Sequence, residues 1–348
     1  MDAAAKAAWH QALTEALPDD VAETVDDIIA PGPNISFVSL EELHALTPED
    51  PDWIWEGYIA AGTAALIAGK PKVGKTSLVF GLVRAMCNGA TEFLGHTIVK
   101  DCPLVYVSEE GGATLRDKLP PHGNMSVLTR ERAYPQPEWH ELIVAAVDEA
   151  IAIGARLIVI DTLRKWAKFG AELEKDASAM QRVVSALDAA TREGIAVLLV
   201  HHQRKAEGEH GDAIAGSNAL PGAVDVVLEV QRTAAGGRQR VLLAESRWKT
   251  PAALVFEKHD DDDDYDLVAE GDSRREAVGD ALVDRVVEFI ETNGPSKTTE
   301  IRSEIGGKSE AVTVALAHAV QARRLALSKV GSANIYSVPD ADADEPAI

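Results

Sequence analysis

The chain has 348 residues, of which 46% are hydrophobic and 26% charged. At about 150 residues per domain this length suggests two domains, and the composition excludes collagen-like and wholly disordered classes. No apolar run approaches the roughly 20 residues that a membrane span needs, and the N-terminus has no apolar signal core. Its two cysteines are too few for a disulfide framework, which favours a reducing compartment. From these observations together we predict a cytoplasmic protein without a membrane partner.

The net charge of −22 is unevenly distributed. Residues 1–60 carry 13 acidic residues and one basic residue, residues 257–272 carry nine and one, and residues 340–348 carry four and none. The rest of the chain is close to neutral, so the charge does not by itself exclude a nucleic-acid partner. We expect the run from Asp260 to Asp264 to be solvated, because like charges repel. A metal site is the weaker alternative, since the run lacks turn glycines and spaced ligands.

The predicted elements begin with an acidic N-terminal arm, residues 1–52. An Ala-rich helix over residues 3–17 precedes a segment punctuated by prolines, with no pattern of a second core. From residue 53, short apolar runs alternate with helical patterns. The predicted strands are 64–68, 104–107, 157–160 and 196–200, and the predicted helices are 76–86, 139–153 and 177–191. This alternation predicts an α/β domain over residues 53–258, with a mostly parallel central sheet covered on both faces.

Beyond residue 200 the pattern becomes antiparallel. We predict a hairpin (226–230 and 241–244), further strands at 253–256 and 265–268, and an acidic linker over residues 259–278. Three helical segments and a strand pair follow. They are 281–292, 298–305, 309–323, 325–330 and 334–338. This layout predicts a small α+β winged helix-turn-helix over residues 279–339, before an acidic tail at 340–348.

The segment from Gly69 to Thr76 satisfies the phosphate-binding pattern G-x-x-x-x-G-K-[ST]. Its glycines let backbone N–H groups surround phosphates, Lys75 supplies a positive charge, and the Thr76 hydroxyl can ligate Mg²⁺. A chance Gly-rich loop is the alternative, but an apolar strand precedes the segment and an apolar helix follows it. We therefore predict ATP and Mg²⁺ as ligands. The predicted nucleotide-binding residues are Gly69, Lys70, Pro71, Lys72, Val73, Gly74, Lys75, Thr76 and Ser77.

Polar residues end three of the predicted strands. Asp161 has the position of a carboxylate that holds Mg²⁺ through water, and Glu109 and Glu110 follow a strand whose end can face the γ-phosphate. The two glutamates can instead be solvated loop acids. His201 and His202 end the fourth strand, where a polar side chain can touch the γ-phosphate; the alternative is a satisfied core histidine.

The order of GKPKVGKT, VYVSEE, LIVIDT, LLVHHQRK, GSNALPGAVDVVL and ESRWKTP resembles RecA-like ATPases of the RepA and DnaB-type hexameric replicative helicase group. The resemblance spans residues 53–257. It implies that Glu109 activates water, that His202 senses the γ-phosphate, and that Arg247 is a finger acting across a subunit interface. The family has K-x-R where this chain has Glu245-Ser246-Arg247, which makes Lys249 a possible substitute.

The resemblance further implies a ring of identical subunits, a hexamer, with single-stranded DNA in its channel. The channel loop would include Arg204, Lys205 and residues 211–218, although the segment 201–222 is not basic overall. The winged helix would contact duplex DNA through residues 309–323; the alternative is a protein contact. We expect a DNA-stimulated ATPase, helicase or helicase-like, in plasmid, phage or mobile-element replication. The alternative is an ATP-switched DNA-binding regulator or loader; a recombination factor is disfavoured because strand exchange needs a more basic channel.

Overall fold

The computed structural model describes residues 36–168, 177–202, 219–233, 238–259, 264–272, 274–305, 309–330 and 333–339. Several predicted features lie outside the described residues. They are the helix at 3–17, most of the aspartate run (260–263), the tail at 340–348, and the part of the predicted channel loop that carries Arg204, Lys205 and residues 211–218.

The helices, in chain order, are α1 (Leu40–Leu46), α2 (Lys75–Cys87), α3 (Gly112–Lys118), α4 (Trp139–Ile153), α5 (Leu163–Trp166), α6 (Ala177–Ala186), α7 (Asp188–Thr191), α8 (Ala219–Ala223), α9 (Arg274–Asn293), α10 (Thr298–Ile305) and α11 (Ser309–Gln321). The strands are β1 (Trp53–Trp55), β2 (Ile59–Ala60), β3 (Ala64–Gly69), β4 (Glu92–Phe93), β5 (His96–Thr97), β6 (Leu104–Ser108), β7 (Met125–Thr129), β8 (Leu157–Asp161), β9 (Ala196–His202), β10 (Val226–Arg232), β11 (Arg240–Ser246), β12 (Ala253–Lys258), β13 (Tyr265–Gly271), β14 (Ser296–Lys297), β15 (Ala326–Val330) and β16 (Ala333–Ser337).

The chain divides into two units, residues 1–51 and residues 52–348. In the described part of the first unit, α1 begins with a capping box. The Ser39 hydroxyl accepts a hydrogen bond from the backbone N–H of Glu42 at 3.1 Å, and the Glu42 carboxylate accepts one from the Ser39 N–H at 2.9 Å. These reciprocal bonds satisfy two amides of the first helical turn, which explains why a helix starts here.

The described residues of the second unit form a nine-stranded sheet in the order β13-β12-β11-β10-β3-β9-β8-β6-β7. The six strands from β10 to β7 pair in parallel, and β11, β12 and β13 extend the sheet as antiparallel strands. The predicted α/β class with a mostly parallel sheet is confirmed. Strands β3, β6 and β8 are buried at every residue because helices cover both faces.

The two faces of the sheet carry separate apolar cores. Helix α2 packs on one face, where Phe80 and Leu82 join β-strand side chains, and α4 and α6 pack on the other. In α2, Gly81 lies against the ring of Tyr265, since a Cβ at residue 81 would stand 2.5 Å from a ring carbon. The edge strand β13 therefore packs directly on the helix that follows the Gly-rich loop.

The predicted acidic linker over residues 259–278 is wrong for much of its length. Residues 265–271 form β13, which pairs antiparallel with β12, and α9 begins at Arg274. The two acidic residues of β13, Asp266 and Glu270, are exposed, so an edge strand accommodates their negative charge in contact with solvent. Ala277 and Ala281 of α9 then pack on buried residues of β11 and β12.

The C-terminal elements form a further small core. Helices α9, α10 and α11 enclose buried side chains such as Ile290, Ile301 and Leu316, and Tyr336 of β16 packs against them. The predicted strand pair is confirmed as β15 and β16, and β14 adds a third strand in the order β14-β16-β15. Among the helices of the described residues, none is long and apolar enough to span a membrane.

Candidate active site

The Gly-rich loop joins the buried strand β3 to helix α2. Gly69 ends β3 with a φ of 152°, and a Cβ there would stand 2.5 Å from the carbonyl oxygen of Val230. Gly74 is the N-cap of α2 with a φ of 107°, no side chain caps the helix, and the space around its Cα is open. The first N–H groups of α2 therefore have no side-chain cap, and uncapped amides at a helix N-terminus are suited to bind phosphate.

Lys75 places a cation inside this loop. Its side chain is buried, and Nζ donates hydrogen bonds to the carbonyl oxygens of Gly69 at 2.8 Å and Lys70 at 3.1 Å. Burial lowers the pKa of Lys75 to about 8, and the nearby Asp161 carboxylate opposes this shift. The ammonium is thus still largely protonated at pH 7 and is held where a phosphate would lie, whereas Lys70 and Lys72 are exposed.

Asp161 ends β8 and meets the loop. It is 2% exposed; its Oδ1 accepts a hydrogen bond from the Thr76 hydroxyl at 3.3 Å, and its Oδ2 accepts one from the Tyr106 hydroxyl at 2.9 Å. Burial raises the pKa of Asp161 to about 6, and both hydrogen bonds oppose the rise. A hydroxyl and a carboxylate side by side are hard oxygen donors, so the residues present fit Mg²⁺.

The two glutamates after β6 have different surroundings. Glu109 accepts a hydrogen bond from the Thr162 hydroxyl at 3.1 Å, and its N–H donates to the Asp161 carbonyl at 2.7 Å. Its negative charge contributes, as does that of Glu110, to the raised pKa of Asp161, and it partly offsets the lowering of the pKa of His202. Glu110 instead forms an ion pair with Lys118 at 3.1 Å. Glu109 is therefore the carboxylate directed toward the other predicted site residues.

His202 lies beside the start of the Gly-rich loop. It ends β9, where it is paired in register with Gly69 of β3. Burial, and then the charge of Lys75, lowers its pKa, which favours the neutral imidazole. Its buried Nδ1 has no hydrogen-bond partner within the described part of the chain. The neighbouring His201 is held neutral by burial, which lowers its pKa to about 4.

Arg247 lies at the other end of the sheet from the loop of its own chain. It follows β11, which runs antiparallel to β10, and its guanidinium pairs with the Asp225 carboxylate at 3.0 Å. Asp225 also accepts a hydrogen bond from the N–H of Ala64, the first residue of β3. Lys249 lies two residues further along and is exposed. The structure thus brings together Lys75, Thr76, Asp161, Glu109 and His202, and leaves Arg247 apart.

Two arginines that the sequence analysis missed hold the Gly-rich loop from behind. Arg232 donates a hydrogen bond to the Lys72 carbonyl at 3.2 Å, and Arg240 Nε donates one to the Val73 carbonyl at 2.9 Å. They are cross-strand partners at the end of the β10–β11 hairpin. The predicted hairpin could have revealed this pair, because a strand parallel to β3 ends on the same side as the loop.

The fold and the site together define the class of protein. A parallel strand that runs into a phosphate loop, with a strand-end aspartate beside the loop threonine, is the arrangement of a RecA-like P-loop ATPase. The chain belongs to the AAA domain family, whose family model matches residues 31–208. Nucleotide binding and ATP hydrolysis follow from this membership. Among the described residues, no three His, Cys, Asp or Glu side chains cluster in a way that could hold a metal ion.

Two solved structures of other proteins are similar to this chain. The KaiC-like protein PH0186 from the hyperthermophilic archaeon Pyrococcus horikoshii is 17% identical, over 62% of this chain and 94% of that one, with a TM-score of 0.43. The ATPase domain of G40-P is 14% identical, over 72% and 98% of the two chains, with a TM-score of 0.44. Among curated proteins none matches this sequence. The assignment to the ATPase class rests on the family and the site.

Proposed function

We propose that this protein is a DNA-stimulated ATPase of the RepA and DnaB-type group, acting as an oligomeric helicase or helicase-like motor in plasmid, phage or mobile-element replication. The observation that carries the proposal is the meeting of Glu109, Asp161 and His202 beside the loop that holds Lys75. A phosphate loop alone indicates nucleotide binding. A carboxylate at the γ-phosphate end of the loop can activate water for ATP hydrolysis, and a histidine there can detect whether the γ-phosphate is present.

In this proposal each residue has one task. The loop amides and Lys75 bind the β- and γ-phosphates, and Thr76 and Asp161 hold Mg²⁺, which when bound neutralises charge on those phosphates. Glu109 accepts the proton of the attacking water, and the Thr162 hydroxyl keeps its carboxylate turned toward the site. Neutral His202 contacts the γ-phosphate and relays its presence into the segment after β9.

The proposed motor is a ring of copies, a hexamer, with active sites shared between neighbours. Arg247 supports this because it cannot serve the loop of its own chain from the far end of the sheet, while its side chain is 60% exposed. A neighbour's ATP is then the target of its guanidinium. Asp225 holds Arg247 in the single chain through a partly exposed ion pair, a contact weak enough to exchange for a phosphate.

We assign DNA binding to two places. Single-stranded DNA would contact the segment after β9, including Arg204 and Lys205. The elements over residues 279–339 would form a winged helix-turn-helix, with α11 as the recognition helix and β15–β16 as the wing. His318, Arg323 and Lys329 are exposed on or next to these elements, which gives this module a modest basic surface for duplex DNA.

A DNA-stimulated motor and an ATP-switched DNA-binding regulator differ in their ATPase rate. We expect single-stranded DNA to raise the steady-state rate of the wild-type protein at least about fivefold, because a translocating motor couples each step to hydrolysis. The measurement is phosphate release with and without a long single-stranded oligonucleotide. Glu109→Gln protein prepared in parallel controls for contaminating ATPases. A rate that is unchanged by single-stranded DNA, although the DNA binds, would favour the regulator.

A further inference from the structure

Tyr106 is a buried tyrosine whose polar atom lies in the candidate active site. It is the third residue of β6, it is fully buried, and its ring stacks on Phe80 of α2 with centroids 5.5 Å apart and an angle of 16° between the ring planes. Phe80 is four residues after Thr76, so both side chains lie on the same face of α2. The stacking therefore fixes the tyrosine ring relative to the helix that carries Thr76.

The Tyr106 hydroxyl fixes the orientation of Asp161. It donates to Oδ2 at 2.9 Å, while Oδ1 accepts the hydrogen bond from Thr76 at 3.3 Å. A carboxylate with one oxygen held in this way cannot rotate about its Cβ–Cγ bond without leaving a buried oxygen unpaired. Oδ1 is thus kept beside the Thr76 hydroxyl. Thr76 and Asp161 are the two residues that the proposed function assigns to Mg²⁺.

We infer that Tyr106 is a positioning residue for the magnesium site, which increases Mg²⁺ affinity by holding Asp161 in the orientation that the metal and its water ligands require. This inference rests on the proposed role of Asp161 and Thr76. Partners that orient a metal-binding group from behind commonly change metal affinity about tenfold or more when they are removed. The site thereby includes a contact from β6, in addition to those from the Gly-rich loop and β8.

The chain offers a matched control for this tyrosine. Tyr58 is also fully buried, stacks on Trp55 with centroids 4.5 Å apart, and donates a hydrogen bond from its hydroxyl to the Ala252 carbonyl at 2.8 Å. Tyr106→Phe and Tyr58→Phe thus each remove one hydrogen-bonded hydroxyl from a buried, stacked ring. Only the first change affects Asp161, so a difference between the two variants reports on the site and not on general destabilisation.

The test compares the affinity for a fluorescent ADP in saturating Mg²⁺ with the affinity in EDTA, which requires no catalysis. The Mg²⁺ gain is the ratio of the ADP affinity in Mg²⁺ to the ADP affinity in EDTA. We expect this ratio to be about tenfold smaller in Tyr106→Phe than in wild type, while the affinity in EDTA stays within about twofold of wild type. Tyr58→Phe should keep both values. Thermal unfolding of the two variants shows that both are folded. A wild-type Mg²⁺ gain in Tyr106→Phe, or an equal loss in EDTA, would overturn the inference.

A second comparison separates this inference from the proposed function. Asp161→Asn should lose most of the Mg²⁺ gain, and adding Tyr106→Phe to it should cause no further loss, because the tyrosine acts through the carboxylate. If Asp161→Asn keeps the wild-type gain, the proposed magnesium site itself is wrong. If Asp161→Asn loses the gain and the two losses add in the double variant, the site stands and the positioning role of Tyr106 is wrong.

Discussion

Lys75→Ala is expected to reduce nucleotide affinity by at least about 100-fold. The buried ammonium is the main positive charge inside the loop, and each hydrogen bond from a charged group to a phosphate contributes about 1.5–3 kcal/mol, where about 1.4 kcal/mol is tenfold in affinity. The measurement is equilibrium binding of a fluorescent ATP analogue in saturating Mg²⁺. Alanine leaves the backbone amides of the loop in place, so the loss reports on the charge.

Lys72→Ala is the matched control for this prediction. It removes the same charge from the same loop, but Lys72 is exposed and its role in the structure is to offer its carbonyl to Arg232. We expect its nucleotide affinity to stay within about threefold of wild type, since exposed charges contribute little. Similar losses in both variants would mean that total loop charge matters, and an unaffected Lys75→Ala would refute the phosphate-binding assignment.

Glu109→Gln is expected to lower the ATPase rate by about 100-fold or more while leaving nucleotide affinity within a few-fold of wild type. The amide retains the shape of the carboxylate but cannot accept a proton from water, and general-base catalysis typically contributes about 10²–10⁴-fold. The measurement is single-turnover hydrolysis of ATP under conditions in which binding is saturated.

Glu110→Gln tests whether the right glutamate has been chosen. Its carboxylate is engaged by Lys118, whose ammonium also lies 5.2 Å from the centre of the Phe80 ring. We expect this variant to keep a near-wild-type hydrolysis rate, because Lys118 holds the Glu110 carboxylate and the lost ion pair is partly exposed. The opposite pattern, with hydrolysis lost in Glu110→Gln and kept in Glu109→Gln, would move the catalytic role by one residue.

Much of the fold and of the site could be predicted from short apolar segments of the sequence that end in a polar residue, because each such segment predicts a buried strand with a polar side chain at its carboxyl end. The carboxyl ends of parallel strands meet at one edge of a sheet, so Asp161, Glu109 and His202 were expected close to the loop that follows β3. The pairing of His202 with Gly69 confirms that neighbourhood for the histidine. This inference needed only the order and direction of the strands, which a repeated strand–helix pattern determines.

The features that escaped prediction depend on contacts that leave no local pattern. Tyr106 belongs to an apolar strand, and nothing in the strand indicates that its hydroxyl meets a carboxylate 55 residues away. Strand β7 lacks a buried apolar run because it is the sheet edge and only Thr129 in it is buried. Strand β13 was predicted in part, at residues 265–268, but its acidic neighbours also suggested a linker, and nothing in the sequence showed that Tyr265 packs on Gly81.

The most direct test of a motor with shared active sites is the ATPase rate of a one-to-one mixture of Arg247→Ala and Glu109→Gln proteins after subunit exchange. Each variant alone forms only defective sites. In the mixture, an Arg247→Ala copy that holds ATP with its intact Glu109 can face the intact Arg247 of a Glu109→Gln neighbour, so about a quarter of the interfaces become complete if assembly is random. An arginine finger supplied by a neighbouring subunit can raise the rate of hydrolysis about 10³-fold or more. We predict a rate far above that of either variant; a rate equal to the mean of the two would contradict the shared site.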